Sequence, residues 1–293
     1  MCYFRLVSLE IFKKSSQGET IGVIVIYVDD CLIAGKSEFI KEMKYKLKAE
    51  FGVVEDGKLR KLLGVRYEWN YIDDPDKANI VMSMNDKAEE IIQAYEKLIG
   101  RTPRISKTPG APGNTLQKND GEPIKHKEYR SILGKVMFYV TKISPECSFA
   151  CGQLARHMHN PGQEHWNAME KLIGYLRGKP KHELIMSRPK EMRVISLGDS
   201  SYGDLHTIGG ALVSWRAQKT KSVCLSSAEA EYVTLTEMCK EQRFIQMLLD
   251  EIYEVELPGI LYCDNKAAEY LTKNKHVSAR TKYIDVREHY ICE

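Results

Sequence analysis

The rhythm of hydrophobic positions changes several times along the chain. Ile21–Val28 is a run rich in β-branched side chains, Cys31–Ala34 is a shorter one, and Asp29 and Asp30 stand between them. Two such runs around a pair of turn-compatible residues predict a hairpin with the acids at its tight turn. A helical, amphipathic period takes over at Asn167–Arg177, just after His165 and Trp166, and the indole is expected to lie in the core. Beyond that the pattern predicts strands at 193–197, 208–215 and 221–225, a long helix over about 228–252, a strand at 259–263 and a helix at 266–273. Along the long helix, steps of four and three from Glu231 reach Leu235, Met238, Gln242, Ile245, Leu249 and Ile252, a mostly apolar stripe. The same steps from Glu229 reach Val233, Thr236 and Lys240, a wetter face.

Two stretches interrupt these patterns. Arg101–Lys125 holds four prolines and three glycines between helix-like segments and reads as a linker or long surface loop separating two packed units. Gly178–Lys190 ends a helical pattern before the next strand. The expected division is therefore 1–84, 85–190 with its linker at 101–125, and 191–293, of mixed α+β and α/β class. For 293 residues, a prior of roughly 150 per domain gives two.

Charge sharpens this division. Residues 191–293 carry 12 Lys plus Arg and 16 Asp plus Glu, whereas residues 1–190 carry 31 and 24. The segment 97–142 alone has 10 basic and 3 acidic side chains, enough for the whole basic excess of residues 1–190. A basic stretch beside an acidic module suits a protein that holds a polyanion with one region and positions metal ions with another. No apolar run approaches the roughly 20 residues of a spanning helix, and no membrane partner is expected. The 8 cysteines include no C-x-x-C pair, which implies reduced thiols and a cytoplasmic or nuclear setting.

Candidate chemistry lies in two groups of acids. Adjacent carboxylates at the end of buried strands repel each other unless a cation neutralises them, which makes Asp29 and Asp30 candidate Mg²⁺ ligands. The second group is Asp199, Glu231 and Asp264. Asp199 follows the first strand of the last region, and Asp264 ends the strand GILYC immediately before a helix, where open α/β sheets place their sites. Ser226-Ser227-Ala228-Glu229 is a capping box, so Glu229 has a structural task at the helix N-terminus. Glu231 has none. It heads the core-facing stripe, where a carboxylate is costly unless it is paired or holds a metal. Cys147, Cys151, His157 and His159 invite a zinc reading, but the thiols recur at helical spacing and are better read as core.

The chain resembles the reverse transcriptase and ribonuclease H of copia-type retrotransposon Pol polyproteins. The resemblance runs in order through YVDD-CLIAG, FGVVEDGKLRKLLGVRYEW, YRSILGKVMFY, HNPGQEHWNAMEKLIGYLR, SWRAQKTKSVCLSSAEAEY, YCDN and RTKYIDVREHY. It implies a truncated reverse-transcriptase palm over 1–84, a helical thumb- or connection-like region over 85–190, and a C-terminally incomplete ribonuclease H-like domain over 191–293, a mixed sheet flanked by helices. It makes Asp29 and Asp30 a residual polymerase pair. With only 26 residues before Tyr27, polymerase activity is not expected. It assigns Asp199, Glu231 and Asp264 to a two-metal Mg²⁺ site, with Mn²⁺ able to substitute, that cleaves RNA in RNA–DNA hybrids. For the parent element it implies a virus-like particle. Departures from the family pattern are Ser201 for a second aspartate, Tyr283 for a histidine, and a final catalytic aspartate not matched, for which Asp285 is a weak substitute. The alternative is a catalytically dead nucleic-acid-binding remnant, held by the basic segment.

Overall fold

A computed structural model describes residues 9–16, 19–28, 30–52, 57–70, 78–111, 115–188, 191–217, 227–266 and 269. The first sheet is antiparallel: β1 (Leu9–Ser16), β2 (Glu19–Tyr27) and β3 (Asp30–Gly35) in that order. Tyr27 pairs with Asp30, which leaves a two-residue hairpin turn in which Val28 has φ 52°. The hairpin is where the apolar runs predict it, but Asp30 pairs as the first residue of β3 and does not stand in the turn as expected. Helix α1 (Ser37–Phe51) covers the sheet through Phe39, which is 4% exposed. Its ring fills the space that a side chain at Gly22 would need.

The second sheet, β4 (Lys61–Leu62), β5 (Val65–Asn70), β6 (Asn79–Ser83) and β7 (Glu183–Ser187), joins distant stretches of the chain, since β6 and β7 pair from Asn79–Ser187 to Ser83–Glu183. Helices α2 (Asn85–Ile99), α3 (His126–Ile143), α4 (Ser148–Arg156) and α5 (Gln163–Gly178) pack beside it. Ala88, Ile91 and Tyr95 of α2, Tyr129, Leu133, Val136 and Tyr139 of α3, and Trp166, Met169, Leu172 and Ile173 of α5 share one core with Val65 and Met84. Strand pairing and core thus cross the expected boundary at residue 84.

Nor does the segment 101–125 separate packed units, although it holds no helix or strand in its described residues. The Trp166 indole donates to Ile124 O at 2.9 Å, His165 Nε2 meets Gln117 O at 2.9 Å, and Ser106 N donates to Gly174 O at 3.1 Å. A side chain at Gly174 would run into the Arg104 carbonyl. The proline- and glycine-rich segment is a strap laid over α5. Its composition signals the lack of regular structure correctly and conceals the docking.

The third sheet has the order β10 (Ala211–Arg216), β9 (Gly203–Ile208), β8 (Val194–Asp199), β11 (Gly259–Tyr262). The first three are antiparallel, and α6 (Ser227–Tyr253) crosses over to set β11 parallel to β8. The topology is compatible with a ribonuclease H-like domain. The single strand expected at 208–215 is instead the end of one strand and most of the next. Gly209 (φ 57°) and Gly210 (φ 91°) form the two-residue turn between them, a Gly-Gly hairpin signal passed over in the sequence. The strand expected at 221–225 lies outside the described residues, as does most of the helix at 266–273. Among the described residues no helix is long and apolar enough to cross a membrane.

Candidate functional site

Two glycines let α6 sit close to the sheet. A side chain at Gly198 would collide with Met238, and one at Gly259 with Gln242. The stripe read from Glu231 faces this contact: Leu235, Met238, Gln242, Ile245 and Leu249 are all buried. The contrast with Glu229's face is weaker than expected. Val233 and Thr236 are buried as well, because residues 231–236 are enclosed on every side of the helix. The capping serine, Ser226, lies outside the described residues.

Glu231 is 8% exposed. Its Oε1 accepts hydrogen bonds from Ser200 Oγ (2.7 Å) and Ser200 N (3.3 Å), and its Oε2 has no hydrogen-bond donor among the described residues. Cys263 directly follows β11 and packs with Leu261 against Tyr232, Leu235 and Met238, so its thiol is turned toward α6. Asp264 follows and is exposed. Ligand atoms of Glu231, Cys263 and Asp264 all lie within 4.8 Å of one another. Among the described residues no other group of three potential metal ligands comes together. Burial pushes the Cys263 thiol above its ordinary range. The carboxylates of Glu231, Asp264 and Glu269 add to this, against a hydrogen bond from Asn265.

Asp199 is placed differently from its two expected partners. It ends β8 with the parity of Ile195 and Leu197, whereas Val194, Ser196 and Gly198 face α6. Its Oδ1 accepts from Ser201 N (2.7 Å) and Tyr202 N (3.3 Å), shaping the turn that presents Ser200 to Glu231. The structure therefore brings Glu231 and Asp264 together and sets Asp199 one residue from the serine that holds Glu231. Sequence reasoning missed Ser200 and Cys263. The signals were their adjacency to two chosen acids, and for Cys263 the alternation that turns it toward the helix.

A second polar group lies between α6 and the sheet. Ser196 Oγ and His206 Nδ1 are 2.7 Å apart and buried, and Arg216 pairs with Asp204 at 2.5 Å. His206 Nε2 approaches Asp204 Oδ1 only to 3.8 Å. Burial alone would raise the Asp204 carboxyl; the neighbouring His206 and Arg216 outweigh it and hold it below the ordinary carboxylate range.

The remaining candidates divide. Asp30 opens β3 and is exposed, while Asp29 lies outside the described residues, as do Tyr283 and Asp285. Cys147 and Cys151 belong to the helical core, where burial pushes the Cys147 thiol up to about 12, and the His157 ring stacks on His165 at 4.1 Å. In the basic segment, Arg101 pairs with Glu170 and Lys135 with Glu90, so neighbouring helices neutralise some of its charge.

The chain is similar over most of its length to known proteins. It is 29% identical over 300 residues, 96% of the chain, to the retrovirus-related Pol polyprotein from transposon TNT 1-94 of Nicotiana tabacum, of which it covers 22%. Against the corresponding polyprotein from transposon RE2 of Arabidopsis thaliana the identity is 28%, covering 94% of the chain and 19% of that protein. The putative transposon Ty5-1 protein YCL074W of Saccharomyces cerevisiae is 26% identical, with 78% of the chain and 76% of the protein aligned. The chain thus spans about a fifth of the length of the Pol polyproteins it matches. No family model and no solved structure matches it.

Proposed function

Proceeding from a chain whose homologues over about 95% of its length are copia-type retrotransposon Pol polyproteins, we propose that residues 191–293 act as a Mg²⁺-dependent ribonuclease H on RNA–DNA hybrids. The observation that carries this reading is the buried Glu231, oriented by Ser200 and facing Asp264 at the C-terminal end of parallel strands β8 and β11. A carboxylate in such a place is costly unless its charge is used. Two carboxylates offer the hard oxygen donors that Mg²⁺ prefers, so the residues fit the ion.

In this reading Glu231 and Asp264 hold the metal, with Asp199 beside them at the end of β8. Bound Mg²⁺ supplies water activation and stabilises charge on the leaving 3′ oxygen. The chain does the positioning. Ser200 fixes one Glu231 oxygen and leaves the other for the ion, while the close contact at Gly198 holds α6 in register. Choice of the RNA strand rests on contacts to 2′-hydroxyls and on duplex shape.

The test is incubation of the purified chain with a labelled RNA–DNA hybrid and Mg²⁺ or Mn²⁺, beside Glu231→Gln. Cleavage by the wild type that the variant loses is expected. A folded wild-type chain that binds the hybrid and leaves it intact would favour the non-enzymatic remnant.

A further inference from the structure

Cys263 does not belong in a Mg²⁺ site, because thiolate is a soft ligand and Mg²⁺ selects oxygen. Yet its sulfur lies within 4.8 Å of ligand atoms of both Glu231 and Asp264. One sulfur and two carboxylates form a donor set suited to zinc-like cations. We propose that Glu231, Cys263 and Asp264 form a binding site for soft divalent cations of the Zn²⁺ and Cd²⁺ class. This site overlaps the proposed Mg²⁺ site and blocks it when filled, a blockade that rests on the ribonuclease reading while the binding does not.

The geometry needs little adjustment. Ligand atoms about 2.0–2.3 Å from a tetrahedral zinc ion stand roughly 3.5 Å from one another. From an upper limit of 4.8 Å, the present atoms would have to close by no more than about 1.3 Å. Asp264, exposed after the strand end, has the most freedom to adjust, whereas Ser200 holds Glu231 and packing under α6 holds Cys263. Glu231 is more than nine-tenths buried, and among the described residues Ser200 engages only its Oε1, so Oε2 is the oxygen available to a cation. An exposed Asp264 leaves the outer side open to water as a fourth ligand. On binding, the Cys263 S–H bond breaks, sulfur keeps the electron pair and donates it to the cation, and the proton leaves to solvent.

The experiment titrates the metal-free full chain with Cd²⁺ and follows the ultraviolet thiolate-to-cadmium charge-transfer band, with Zn²⁺ as competitor. Wild type, Cys263→Ser and Cys147→Ser are compared after circular dichroism confirms that each is folded. Affinity should fall in Cys263→Ser by at least about tenfold, the lower end of what loss of even an outer partner costs a metal site. It should be unchanged in Cys147→Ser, whose sulfur is in the helical core. Equal bands in wild type and Cys263→Ser would overturn the site. A parallel assay measures hybrid cleavage in Mg²⁺ with increasing Zn²⁺, each variant referred to its own zinc-free rate, and Cys263→Ser should need more Zn²⁺ for half-inhibition. A cadmium band that depends on Cys263 without hybrid cleavage by wild type would remove the ribonuclease reading and keep the cation site. Cleavage by wild type with equal cadmium bands in both chains would do the reverse, and equal zinc sensitivity in both chains would overturn the blockade.

Discussion

The helical body around α2, α3 and α5 and the sheet beneath α6 solve the same packing problem with different materials. In the helical body large side chains are fully buried and their polar ends are answered: Tyr129 OH donates to Leu154 O at 3.0 Å, and Tyr139 OH meets His182 Nδ1 at 2.6 Å. Under α6 the buried set includes Glu231, Asp204, His206, Gln242, Thr234 and Thr236. Among the described residues two atoms there, His206 Nε2 and Gln242 Oε1, are buried without a partner, against one, His126 Nε2, in the helical body. Apolar packing tolerates little change of volume, while a polar core depends on each partner being in place. The first region stabilises the fold and the second retains groups that chemistry can use.

The largest effect that would test this contrast is Leu133→Ala in α3, a fully buried position. It should destabilise the chain by about 2–5 kcal/mol in urea unfolding, because the closed core cannot collapse onto the gap. Next is Gly198→Ala, whose new methyl group must displace Met238; a loss of about 1–3 kcal/mol is expected, together with weakened hybrid cleavage as Glu231 shifts. A smaller effect concerns acid. Because Asp204 is held below the ordinary carboxylate range, its contribution to stability is present above the unfolded value of about 3.9 and is lost as pH falls through the lower folded value. Asp204→Asn should flatten that acid limb of the melting-temperature profile, and an unchanged limb would refute the assignment. The smallest change is expected for Glu231→Gln. The amide still accepts from Ser200 and removes a buried charge beside Asp264, so stability should stay within about 1 kcal/mol of wild type. A large loss would make Glu231 a structural residue.

Sequence patterns carried the local features well and the long-range ones poorly. The hairpin before Asp30 was legible because turn chemistry and β-branched runs act within a few residues. The buried face of α6 was legible because a long helix repeats its signal. Residues 208–215 were misread because hydrophobic content continues through Gly209-Gly210, although the glycines mark the turn. The strap at 101–125 was hidden because its anchors, His165 and Trp166, are far away in sequence and bind backbone carbonyls, which no residue type advertises. At the candidate site the choice of Glu231 over Glu229 followed from the capping-box pattern at 226–229 and from helical periodicity. The separate position of Asp199 depends on strand parity at the last residue of β8, where an error of one residue reverses the face.

Helix α6 is anchored at its far end as well. Thr20 Oγ1 donates to Ile252 O at 2.5 Å, and Lys13 and Ser15 both reach Glu254 at 3.1 Å, so the first sheet grips the tail of the helix whose head carries Glu231. At about 1.5 Å per residue, the stretch between Glu231 and Ile252 is a rod of roughly 30 Å. It acts as a ruler between the end of the first sheet away from Asp30 and the carboxylate pair. Seven residues inserted between Glu231 and Ile252 would lengthen that ruler by about 10 Å, nearly two whole turns, and leave Glu231 facing almost the same way.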